Sequence, residues 1–141
     1  MKTSILALVS LLALSASAFA AKPLVAIQNT NGAYDQALTV RDDGSVVSEL
    51  GDVSQVAQLS MGSLAKLEAE VNALTATIEL VDQQPDQLSC NNTFATTYFA
   101  FLNGKQVKIG ENKQCHTFRR TDGSALEIIT LLNGLETLVQ N

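Results

Sequence analysis

Histidine occurs once in these 141 residues, at position 116, and cysteine twice, at 90 and 115. Those scarcities remove whole classes of chemistry. One imidazole cannot build an H-x-x-x-H metal helix, and Cys90 and Cys115 form neither a C-x-x-C nor a C-x-x-C-H, so the ligand spacings of zinc sites, dithiol redox centres and covalent haem are missing. No G-x-S-x-G surrounds Gly44-Ser45, Gly62-Ser63 or Gly123-Ser124, and no G-x-x-x-x-G-K occurs, which leaves no nucleophile elbow and no phosphate loop. Neither a cofactor nor a metal is expected. Positive charge is also short: 9 lysines and arginines face 14 aspartates and glutamates, a net charge of −5. Such a surface repels nucleic acid.

What is present begins with the first twenty residues. Lys2 supplies a positive start, Ile5 to Leu14 an apolar stretch, and Ala18-Phe19-Ala20 the small-x-small pattern that a signal peptidase accepts. The apolar stretch is shorter than the roughly 20 residues needed to span a bilayer. No cysteine follows it to carry a lipid, and nothing downstream reads as a membrane span. The sequence therefore predicts a signal peptide over 1–20 and an exported protein, periplasmic or secreted, of bacterial type. Residues 21–141 suit a single domain. Lys2 is the only charge in the leader, so this mature part carries 8 basic and 14 acidic side chains, net −6. In an oxidising compartment Cys90 and Cys115 read as one structural disulfide.

The local patterns alternate strands with helices. Lys22 to Tyr34 reads as an edge strand or a loose arm around the apolar run Leu24 to Ile27. Ala37 to Arg41 and Val46 to Leu50 flank Asp42-Asp43-Gly44-Ser45 as a hairpin. Val53, Val56 and Leu59 lead into Ser60, a helix N-cap, after which Leu64, Leu67, Val71 and Leu74 recur at helical spacing. Thr77 to Val81 reads as a strand. Asn103-Gly104 joins Thr96–Leu102 to Lys105–Gly110 through a type I′ turn. Ser124 and Glu127 form a capping box for a last helix that carries Leu126, Ile128, Ile129, Leu131, Leu132, Leu135 and Leu138, with Gly134 as an interruption or an end. The expected fold class is α+β: a small antiparallel sheet built from hairpins, two amphipathic helices packed on one face, and one disulfide.

A two-residue turn fixes register. Opposed residues across Asn103-Gly104 then pair Leu102 with Lys105, Ala100 with Val107 and Tyr98 with Ile109 on one face, and Phe101 with Gln106 and Phe99 with Lys108 on the other. If Tyr98 faces the helices, Phe99, Phe101 and Lys108 form a candidate binding surface, since exposed aromatics on a small exported domain mark contact sites. The alternatives are that the two phenylalanines are core, or that the N-terminal arm covers them. Continued to the open end, the same register sets Cys115 across from Asn92, near Cys90.

The order of elements, the size, the single staple and the leader are similar to small bacterial protease inhibitors, a likeness of architecture that rests on no motif. The reading is a small exported binding module without catalysis, engaging a protein or envelope component, with protease inhibition as one form. A small periplasmic hydrolase using carboxylates or His116 and a structural envelope protein are the alternatives.

Overall fold

The computed structural model describes residues 21–30, 35–83, 95–113 and 116–139. The leader, Cys90 and Cys115 lie outside them. Eight strands form one antiparallel sheet: β1 (Pro23–Thr30), β2 (Asp35–Arg41), β3 (Ser45–Leu50), β4 (Val53–Gln58), β5 (Ile78–Gln83), β6 (Ala95–Leu102), β7 (Lys105–Lys113) and β8 (His116–Arg120). Their order across the sheet is β4-β3-β2-β1-β6-β7-β8-β5. Helix α1 (Met61–Asn72) follows β4, and helix α2 (Gly123–Val139) follows β8.

This corrects the expected fold class. The sheet, of eight strands, is the body of the molecule, not a small hairpin platform. α1 rests on β6 and β1, α2 rests on β8, β7 and β1, and the two helices meet along a seam. No disulfide lies among the described residues. The strands not expected are β4 and β8, and β1 takes a place not expected of it. Pro23–Thr30, within the stretch read as an edge strand or a loose arm, is neither, because β1 is a central strand, paired with β2 on one side and β6 on the other. Its run Val25-Ala26-Ile27 is buried without alternation, the small Ala26 side chain lying between Thr39 and Phe99 on the face away from the core. Val53 to Gln58, read as the approach to a helix, pairs along its whole length with β3; three-residue spacing in six exposed residues reports no helical packing.

The core lies on one side of the sheet. Val25 opposes Ala100 and Val40, Ile27 opposes Tyr98 and Leu38, and Val40 opposes Val46, so these side chains share a face. They form one cluster with Leu67, Val71 and Leu74 from α1 and its end and Ala125, Ile128 and Leu132 of α2. Each large side chain fully buried there contributes about 1.5–3 kcal/mol.

The helix starts are set by side chains. Ser60 caps α1, its hydroxyl accepting the Ser63 amide at 3.2 Å. For α2 the cap is Asp122, not Ser124: its carboxylate accepts the amides of Ala125 at 3.2 Å, Thr75 at 2.9 Å and Ala76 at 3.0 Å. One residue thus caps α2 and ties it to the chain between α1 and β5. Burial raises the Asp122 pKa, but these hydrogen bonds, with the nearby Arg120 charge, outweigh it and hold the carboxyl below its ordinary value. α2 runs through Gly134 without a break.

Candidate functional site

The β6–β7 hairpin turns at Asn103 (φ 52°) and Gly104 (φ 76°), the two positive φ values of a type I′ turn. The expected register holds for Leu102–Lys105, Phe101–Gln106, Ala100–Val107 and Phe99–Lys108. It then slips. A bulge between Tyr98 and Phe99 makes Gly110, not Ile109, the partner of Tyr98. The extra residue is put to use: Ile109 is fully buried in the core cluster, and Gly110 lies under α2. A Cβ at Gly110 would stand 2.8 Å from Ile129 Cδ1 and 3.3 Å from the Phe118 carbonyl.

Tyr98 is the inward residue, buried against α2, where its hydroxyl donates to Asn133 Oδ1 at 2.8 Å. Burial pushes its phenol pKa up. Alternation then sends Phe99 and Phe101 to the opposite, outer face. Both are half-buried and Lys108 is exposed. Phe99 is flanked by Ala26 on β1 and Lys108 on β7. Phe101 sits nearer the hairpin end and also lines a groove of about 580 Å³ with Leu24, Val71, Leu74 and Leu102.

The outer face extends farther than the sequence indicated. Glu111, opposite Thr97 on β6, opposes Phe118 on β8, and Phe118 opposes Leu80 on β5. Phe118 is half-buried, with the His116 ring packed edge-on against it at a centroid distance of 5.0 Å and an angle of 83°. Leu80 and Ile78 are 42% and 43% exposed. Between the two aromatic groups runs an ion cluster on β7. Lys108 Nζ lies 2.8 Å from Glu111 Oε2, and Lys113 Nζ lies 3.1 Å from Glu111 Oε1. Burial raises the Glu111 pKa, but hydrogen bonds from Lys108 and Lys113 and their charges outweigh it and keep the carboxylate ionised below its usual range. Arg120 donates through Nη1 to the Ala76 carbonyl and through Nε to the Lys108 carbonyl at 3.4 Å, which fixes a further positive group beside the strip.

Phe118, Leu80 and Lys113 were not legible as site residues. Thr117 to Arg120 shows no alternation or turn signature that would mark β8, and only the sheet order brings β5 alongside it. The carboxyl groups with shifted pKa values are all engaged structurally: Asp43 accepts the Ser45 hydroxyl and amide in the β2–β3 turn, Glu111 is held by two lysines, and Asp122 caps α2. All three are lowered, the opposite of what a general acid requires. Among the described residues no helix is long and apolar enough to cross a membrane.

Compared with protein-family models, with curated proteins and with solved structures, the chain gives no match.

Proposed function

We propose that this chain is a small exported binding module that engages a protein partner through the outer face of β6, β7, β8 and β5. The observation that carries the reading is the placement of Tyr98 in the core, which leaves Phe99 and Phe101 on the face turned away from the core cluster. Rings held half-buried on a β-sheet are pre-ordered, so they give contact area at little further entropic cost on binding. Phe99, Phe101 and Phe118 would supply the apolar anchors, with Lys108 and Lys113 facing acidic groups of the partner at the rim.

Catalysis is not part of this reading. His116 spends its ring on Phe118, and the carboxyl groups with shifted pKa values are committed to folding.

The test is capture from periplasmic extract on immobilised mature protein, run beside Phe99→Ser and Phe101→Ser variants checked by circular dichroism to be folded. A partner retained by the parent and lost from both variants is expected. A partner retained equally by all three would place binding elsewhere on the molecule.

A further inference from the structure

The two edges of the sheet are built differently. β5 carries the exposed Glu79 and a bulge between Leu80 and Asp82, two of the usual guards against strand addition. β4, Val53-Ser54-Gln55-Val56-Ala57-Gln58, has no charge and no proline, and all six residues are exposed. It is a bare edge.

The direction of its free backbone groups follows from one hydrogen bond. The Leu59 amide donates to the Gly44 carbonyl at 2.8 Å, and the β3–β4 register continues that pairing to Val46–Ala57, Ser48–Gln55 and Leu50–Val53. In an antiparallel ladder, residues alternate between pointing their amide and carbonyl at the neighbour and away from it. Ala57, Gln55 and Val53 therefore bond to β3, while Ser54, Val56 and Gln58 direct their backbone groups outward. Among the described residues no strand lies there.

We propose that β4 pairs antiparallel with β4 of a second copy of this chain about a two-fold axis through Val56. That register opposes Val56 to Val56 and Ser54 to Gln58, and each outward residue exchanges both backbone bonds with its opposite. It also sets Val53 against Leu59 of the second copy on the other face. Val53 and Val56, 60% and 72% exposed, thereby both meet apolar partners. The absence of charge is what suits the strand to its own copy. With a net charge of −5 on the chain, an edge containing acids would set like charges opposite each other, whereas this one brings none. The closed two-fold contact ends the assembly at two, because the remaining edge is the guarded β5.

The experiment is sedimentation velocity on mature protein over a wide range of concentration, with Val56→Lys and Val56→Pro variants, and non-reducing electrophoresis of Val56→Cys beside the parent. The proline removes an outward donor that no described strand uses, so the fold tolerates it. A concentration-dependent dimer is expected, lost in both the Lys and Pro variants and trapped covalently in Val56→Cys beyond the level of the parent. A monomer at every concentration would overturn the proposal, as would a dimer that survives both variants. Loss of the dimer in Leu80→Lys with retention in Val56→Lys would move the contact to β5 and overturn it equally.

Discussion

Replacing Tyr98 by alanine removes a buried ring and the hydroxyl that donates to Asn133, and such a truncation in a packed core costs about 3–5 kcal/mol. Phe99→Ala and Phe101→Ala remove rings from the other face, where the expected cost is about 1 kcal/mol or less. Tyr98 should therefore differ in consequence from its neighbour Phe99 and from Phe101, and thermal melts of the three variants measure it. If the phenylalanine variants were the unstable ones, the assignment of faces would be reversed. Asp122 supplies a test in pH. Its folded pKa is depressed, so it contributes stability above the ordinary aspartate range that is lost as pH falls through the folded value. Asp122→Ala should cost about 1–2 kcal/mol at neutral pH as a lost cap, and the gap from the parent should narrow under acid conditions. A gap that stays constant from neutral to strongly acid pH would contradict the ionised cap.

At the scale of elements, the bulge at Tyr98/Phe99 and the glycine at 110 work together. The bulge adds Ile109 to the core, and the missing side chain at Gly110 lets α2 come down onto β7. Gly110→Val should destabilise by about 1–3 kcal/mol through overpacking against Ile129, while the same change at the open helical position Gly62, whose Cβ would meet nothing within 4 Å, should cost nothing, because valine has the higher helix propensity of the two. Urea melts of both variants compare them, and equal destabilisation by the two would remove the close approach of α2 from the account. These elements were unevenly legible in the sequence. Asn103-Gly104 declared its hairpin and four of its five pairings because a type I′ turn is a local event needing only two residues of positive φ. The bulge was invisible, since it is set by how Ile109 and α2 pack, and one slipped residue moved Tyr98 from Ile109 to Gly110. β8 and β4 were missed for a related reason. Their residues are half-buried or exposed throughout, so hydrophobic alternation, which records burial on one face, had nothing to report.

For the molecule as a whole, the sheet order brings together what the sequence holds apart. Phe99 and Phe101 could be nominated from the hairpin alone. Phe118 and Leu80 joined them only because β5 crosses to pair with β8 at the far edge. The result is a strip with aromatic rings on β6 and β8, an ion cluster on β7 and apolar residues on β5. The central claim is that this strip is where the protein meets its partner. Photo-crosslinking tests it most directly, with benzoyl-phenylalanine placed at Phe99, at Phe118 and, as a control on the exposed face of α2, at Thr130, and the mature protein irradiated in periplasmic extract. The account predicts the same cross-linked protein from positions 99 and 118 and none from 130. Adducts from 130 alone, or unrelated adducts from 99 and 118, would contradict it.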